Sequence, residues 1–308
     1  MGLPIVNDYH LCGWRVMSEV PLPYLSPLSG SPGRPDVTIR LSPLPDTLSR
    51  SAKITPKLQI TSEGAALVTE PDVARYLLTG ASDILISPPD NGNDPAAAVL
   101  DTLFGTVFGL LCMGRGMFTV QGTVVAIGGR ALLLTGPAGC GKSALAETLI
   151  QRGHGLLSDD IAVIDAPLAA APVAWPTFPR LKRWREDAVP TDPETLDWRS
   201  DTPRGYSFRS TADGDMPMPG SALPLAAVVD IAPPFKIDPS PLAGGDSLAA
   251  LDRAIYRKRV ADAWGLTPGL FQMGSRIANA ARLFRLSMDG RHDGVEEAAR
   301  RVETLMAS

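Results

Sequence analysis

The chain reads as an α/β protein, with a phosphate-loop core over about residues 93 to 308 and a small β-rich unit over residues 1 to 92. Three observations predict this. Residues 136 to 143 spell Gly136-Pro137-Ala138-Gly139-Cys140-Gly141-Lys142-Ser143, a complete G-x-x-x-x-G-K-[ST] loop. The loop follows the apolar run Ala131 to Thr135. It precedes Ser143 to Arg152, which lacks Pro and Gly and carries Ala144, Leu145, Leu149 and Ile150 at helical spacing. Strand, glycine loop and helix is the context this motif requires. Finally, Leu223 to Ala232 is nearly all apolar, as expected of a central strand covered on both faces.

In chain order, Tyr9–Pro21, Asp36–Leu41, Lys57–Thr61 and Ala65–Thr69 read as strands separated by Pro, Gly and Ser. Pro71–Leu78 reads as a short helix ending near Gly80, and Ile84–Ser87 as a further strand. The run Pro88 to Asp94 is a turn cluster or linker, with Asp94 as N-cap of a helix over Pro95–Met113. That window holds Asp101, Gly105 and Gly109, which makes it a buried core helix rather than a membrane span. Gly128-Gly129 then joins two apolar strands as a tight turn. Residues 1 to 92 hold nothing that names a ligand.

Gly136, Gly139 and Gly141 let the loop turn tightly, so that successive N–H groups and the helix N-terminus face phosphate oxygens. Pro137, Ala138, Cys140 and Ala144 complete the nucleotide-binding stretch. Lys142 is expected to reach the β- and γ-phosphates of ATP, and the Ser143 hydroxyl to ligate Mg²⁺. After the helix, Arg152 to Asp165 reads as strand, acidic pair, strand, with Asp159 and Asp160 as the pair. Side chains of neighbouring extended residues point to opposite sides. One carboxylate can therefore hold Mg²⁺ while the other accepts the proton of an attacking hydroxyl. A hairpin turn is the structural alternative.

Pro172 to Pro219 is irregular and holds Trp175, Trp184 and Trp198. A basic cluster of Arg180, Lys182, Arg183 and Arg185 lies within it. It reads either as a solvated face or as a clamp on phosphate or an acidic peptide; Arg204 and Arg209 are weaker candidates. Asp246–Gly265 and Phe271–Leu286 read as helices. Asp293-Gly294-Val295-Glu296 opens a last amphipathic helix with Val295, Ala299, Val302 and Met306 on one stripe.

The composition, 44% hydrophobic and 20% charged over 308 residues, is that of a soluble globular protein. A net charge of −4 argues against nucleic acid or anionic membrane as partner. Three well-separated cysteines, Cys12, Cys112 and Cys140, imply a reducing, cytoplasmic setting without a disulfide scaffold. No secretory signal is read in residues 1 to 20. The histidines His10, His154 and His292 lack metal-ligand spacing.

Gln121 to Ile127, Gly129 to Gly136, Gly141-Lys142-Ser143 and Arg152 to Asp160 together resemble the catalytic core of HPr kinase/phosphorylase. Phe178-Pro179-Arg180-Leu181 and Trp184 resemble the shorter HPr-kinase-like proteins, including lasso-peptide precursor kinases. The resemblance implies a P-loop kinase fold of the HPr kinase/phosphoenolpyruvate carboxykinase type, cofactors ATP and Mg²⁺, and transfer to a serine of a peptide or small protein. It implies a base role for Asp159 and an Mg²⁺ role for Asp160; the sequence leaves the oligomeric state open, a homo-oligomer included. Three departures stand out: Gln121 where the family has histidine, Ala144 where it has an acidic residue, and no glycine-rich signature downstream. Glutamine cannot take up a proton near neutral pH. The expectation is a forward kinase with catalytic Lys142 and Asp159, and with Gln121, Arg180, Lys182, Arg183 and Arg204 toward the acceptor. The alternatives are a nucleotide-binding regulatory or peptide-carrier protein without phosphotransfer, and a small-molecule kinase.

Overall fold

Two compact units make up the chain, the first from residues 1–119 with 255–272 and the second from residues 120–254 with 273–308. The computed structural model describes residues 7–22, 25, 33–88, 96–178, 180–184, 206–210, 220–232, 239–288 and 292–307. This division differs from the one drawn at residue 92, because the apolar helical stretch after Pro95 belongs to the first unit. There the buried Tyr76 hydroxyl donates to the Val99 carbonyl at 2.9 Å.

The first unit is built on eight strands: β1 (Asn7–Leu11), β2 (Trp14–Ser18), β3 (Val37–Leu41), β4 (Ala52–Thr55), β5 (Leu58–Ile60), β6 (Ala66–Glu70), β7 (Ala74–Thr79) and β8 (Asp83–Ser87). They lie in the order β1-β2-β3-β8-β7-β6-β5-β4. The strand expected over Tyr9–Pro21 is a hairpin, turned by Cys12 and Gly13 at positive φ. The helix expected over Pro71–Leu78 is strand β7. Ala74, Tyr76 and Leu78 are buried and their neighbours are not, a period of two that overrides the helix-start look of Pro71-Asp72. The expected helix over 95–113 is α1 (Ala96–Thr102), a π-helical turn (Leu103–Val107) and α2 (Phe108–Gly114) in succession. Asp94 and Pro95 lie outside the described residues. Cys12 and Cys112, far apart in sequence, meet thiol to thiol, and burial pushes the Cys112 thiol well up.

The second unit carries β9 (Phe118–Ile127), β10 (Arg130–Thr135), α3 (Lys142–Gln151), β11 (Gly155–Ser158), β12 (Ile161–Asp165), β13 (Val173–Trp175), the pair β14 (Arg180–Trp184) and β15 (Tyr206–Ser210), β16 (Leu223–Ile231) and β17 (Ser240–Pro241). Next come α4 (Gly245–Ala254), α5 (Lys258–Ala263), α6 (Thr267–Ala280), β18 (Arg282–Leu286) and α7 (His292–Ala307). Of these, α5 and the start of α6 fall in the first unit. Strand order is β10-β9-β12-β13-β16-β18-β17, and β10 also pairs with β16. β16 runs parallel to both β10 and β18, the central position its apolar run predicts. The helix expected over Asp246–Gly265 breaks at Arg257, held at φ 44°, into α4 and α5. The helix expected over Phe271–Leu286 ends at Ala280 and gives way to β18, because the run Leu283-Phe284-Arg285-Leu286 suits either period.

The second unit's core joins Leu132 and Leu134 of β10, Leu145 and Leu149 of α3, Val229 of β16, Leu286 of β18 and Val302 of α7. The stripe Val295, Ala299, Val302 and Met306 is buried as its spacing requires. Where α7 meets the end of α3, Arg152 grips Glu303 through Nε at 2.8 Å and Nη2 at 2.6 Å, and His154 adds 2.9 Å.

The Arg152 hydrogen bonds hold the Glu303 carboxyl at about 2, below its ordinary value of 4.5, against the opposing effect of partial burial. A depressed carboxylate stabilises above its unfolded-state pKa, and that contribution fades as pH falls from 4.5 toward 2. The pair is partly solvated, so Glu303→Gln is expected to cost about 1 kcal/mol at pH 7. The same variant should differ little from wild type at pH 2, as urea unfolding at the two pH values will read.

Candidate active site

Gly136 to Gly141 forms the turn between β10 and α3, as the motif requires. Gly136 has φ 134°, and a Cβ there would overlap the Ile231 carbonyl oxygen of β16. Only glycine lets the loop leave the sheet at this point. Lys142 folds back over the loop, its ammonium donating to the Gly136 carbonyl at 2.9 Å and the Pro137 carbonyl at 2.8 Å. The Cys140 sulfur lies 3.7 Å from the same ammonium, and burial raises its thiol pKa. Ala138, Gly139 and Ala144 complete the stretch.

The acidic pair is not a hairpin turn. β11 pairs antiparallel to β9 with a bulge between Leu156 and Ser158, β12 also neighbours β9, and the Gly122 N–H donates to the Asp160 carbonyl at 3.2 Å. The two aspartates therefore occupy an irregularity in a run that stays along β9, with Asp160 at φ 71°. Asp159 is 9% exposed. Its Oδ1 accepts the Thr123 hydroxyl of β9 at 2.5 Å and the Ser143 hydroxyl of α3 at 3.1 Å, and its Oδ2 lies 3.3 Å from Ser143. A carboxylate thus sits against the hydroxyl that the motif assigns to Mg²⁺. Ser143 and Asp159 offer the hard oxygen donors this cation takes. Among the described residues no cluster of three or more His, Cys, Asp or Glu forms a separate metal site.

A cleft of about 390 Å³ opens beside the loop, lined by Gln121, Gly136, Pro137, Asp230, Arg253 and small alanines of α4 and the β16 end. Gln121 thus stands next to the loop. Asp230, 4% exposed at the end of β16, accepts Arg253 at 3.0 Å and Arg285 at 3.4 Å. Sequence reading missed this group. The aspartate sits in the apolar run Val228-Val229-Asp230-Ile231, where a charge inside a central strand was itself the available signal.

Of the remaining acceptor candidates, the structure describes the side chain of Arg180. Arg180 is buried, at 5% exposure, on β14. Lys182 and Arg183 follow it on that strand and Arg209 lies on β15. The side chains of Lys182 and Arg183, and Arg185 and Arg204 altogether, lie outside the described residues.

Fold and site together define an α/β protein of the phosphate-loop class. The HPr Serine kinase C-terminal domain family matches residues 116–171, which hold β9, the loop, α3 and the acidic bulge. Over this segment the chain is similar to HPr-kinase-like proteins. It is 51% identical over 44 residues to an HPr kinase/phosphorylase of Chlorobium limicola, covering 14% of this chain and 13% of that protein. Against one from Burkholderia lata identity is 45% over 65 residues, with 21% and 19% covered. Against one from Azoarcus it is 34% over 94 residues, with 30% and 27% covered. The chain therefore matches well under a third of the length of these relatives. The structure of the Hpr(Ser) kinase/phosphatase from Coxiella burnetii aligns at TM-score 0.34 and 12% identity, over 61% of this chain and 96% of that one. Among the described residues no helix is long and apolar enough to cross a membrane.

Gly122 holds the acidic bulge in register, since a Cβ there would lie 2.7 Å from the Leu134 carbonyl oxygen of β10. Gly122→Ala is expected to cost about 1–3 kcal/mol and to loosen the Ser143–Asp159 contact. Urea unfolding and nucleotide titration on one preparation will measure both effects; unchanged stability would show that β9 yields at no cost.

Proposed function

We propose that the protein is an ATP- and Mg²⁺-dependent kinase that transfers the γ-phosphoryl group to a hydroxyl, most plainly a serine of a peptide or small protein. The observation that supports this best is the Ser143–Asp159 contact beside Lys142. It brings a cation-ligating hydroxyl, a carboxylate and an ammonium to the mouth of one loop. A loop that only held phosphate would not need a buried acid against its serine. The family match over the same residues and the relatives' names support a phosphotransferase. Ribosomal-peptide precursors, lasso peptides among them, are the acceptor class suggested by Phe178 to Leu181. Free cysteines suit a cytoplasmic enzyme.

In this reading Lys142 leaves the Gly136 and Pro137 carbonyls to meet the β- and γ-phosphates, and the loop N–H groups hold the remaining oxygens. Mg²⁺, held by Ser143 with Asp160 and Asp159, would supply charge neutralisation to the phosphates. Asp159 accepts the acceptor hydroxyl proton as the new P–O bond forms. Because Asp159 also shares the Ser143 hydroxyl, it is both base and part of the cation's surroundings.

Two outcomes follow. Lys142→Ala should abolish phosphotransfer and weaken ATP binding without lowering the melting temperature, as no core packing is removed. Asp159→Asn should cut turnover by about 10²–10⁴-fold and also raise the Mg²⁺ requirement, whereas Asp160→Asn should act mainly on Mg²⁺. Steady-state kinetics with a candidate precursor peptide, read by phosphopeptide mass spectrometry, measure these. Full activity in Lys142→Ala would overturn the reading, and ATP binding without transfer to any hydroxyl would favour a regulatory nucleotide binder.

Gln121 sets the direction of the reaction. With no imidazole at this position, phosphorylated acceptor incubated with enzyme, Mg²⁺ and inorganic phosphate should release almost no pyrophosphate. Rapid release would show that the glutamine is no obstacle to the reverse reaction.

A further inference from the structure

The cluster on Asp230 is not explained by loop chemistry alone. One carboxylate, almost wholly buried at the end of β16, receives two guanidinium groups from different elements, Arg253 of α4 and Arg285 of β18. A buried acid needs a compensating cation, and one suffices for charge. The second leaves one positive charge in excess at the end of the central strand. Arg253 carries that excess into the open: its side chain is 55% exposed and lines the cleft together with Gly136 and Pro137. The carbonyls of those same two residues hold the Lys142 ammonium. An anion in the cleft would lie between Arg253 and the lysine that reads terminal phosphates.

We propose that Arg253, aimed by Asp230, is the cation that meets the γ-phosphoryl group of ATP on its acceptor side, distinguishing ATP from ADP. The proposal rests on the nucleotide reading of the loop. Asp230 is the positioning residue: it fixes one N–H of the guanidinium and so orients the planar fork toward the cleft. During transfer the bond from the γ-phosphorus to the β–γ bridging oxygen breaks and a bond to the acceptor oxygen forms. Arg253 takes neither proton nor electron pair; it balances charge on the equatorial oxygens. Arg285 shares Asp230 but does not line the cleft, so its part is to complete the buried pairing.

The test compares equilibrium binding of Mg·ATP and Mg·ADP to wild type, Lys142→Ala, Arg253→Met, Arg253→Lys and Arg285→Met, with melting temperature recorded for each. Arg253→Met should lose about tenfold or more in ATP affinity and stay within about twofold for ADP, with an unchanged melting temperature. Arg253→Lys, which keeps the charge without the fork, should fall between and serves if the methionine variant does not fold. Arg285→Met should keep the wild-type ratio of ATP to ADP affinity. An unchanged ratio in both Arg253 variants, with nucleotide binding intact in wild type and lost in Lys142→Ala, overturns the proposal and leaves the loop reading standing. Equal losses of ATP and ADP with a lowered melting temperature would make Arg253 a tie between α4 and β16, which also overturns it. Failure of wild type to bind either nucleotide overturns the loop reading, and this inference with it.

Discussion

The Asp159 carboxylate ties three separate pieces of chain together. It takes a hydroxyl from Thr123 on β9 and another from Ser143 at the start of α3, and itself sits in the irregular link between β11 and β12. A carboxylate this buried is tolerable only with hydrogen-bond donors around it, and the Thr123 and Ser143 hydroxyls are two of them. That carboxylate stands directly against the loop serine. Negative charge at that point would weaken a loop meant to hold phosphate alone, and it becomes sensible once a divalent cation stands between acid and phosphate.

Close approach of backbones is the second constraint. β9 lies so near β10 at Gly122, and the loop so near β16 at Gly136, that no side chain fits at either place. The first contact sets where the acidic bulge falls relative to Ser143. The second sets where the loop begins relative to Asp230. Two glycines thus fix where Asp159 and the arginine-bound Asp230 stand relative to the loop that carries Lys142.

Much of this was legible in the sequence where conformation is decided locally. The loop, α3, the acidic pair, β16 and the buried stripe of α7 follow from glycine positions, periods and caps. What was missed needed distant partners. Strand β7 is preceded by Pro71-Asp72, which looks like a helix start, and only its place beside β6 and β8 reveals the period of two. β18 hides as the tail of a helix because its apolar run suits both periods until β16 claims it. Asp230 carries no local signal beyond being a charge in an apolar run, and its partners lie 23 and 55 residues away. Of the basic cluster, Arg180 is buried on β14, and the side chains of Lys182, Arg183 and Arg185 lie outside the described residues.

The central claim is that the bulge carboxylate and the loop serine form one cation and nucleotide site. It is tested most directly by uptake of Mn²⁺, a spectroscopic substitute for Mg²⁺, in the presence of ADP. Electron paramagnetic resonance of the free ion reads that uptake for wild type and Ser143→Ala. The account predicts that wild type takes up about one Mn²⁺ per chain only when ADP is present, and that Ser143→Ala weakens uptake about tenfold while remaining folded. Mn²⁺ uptake that ignores ADP, or that is equal in the two proteins, would contradict it.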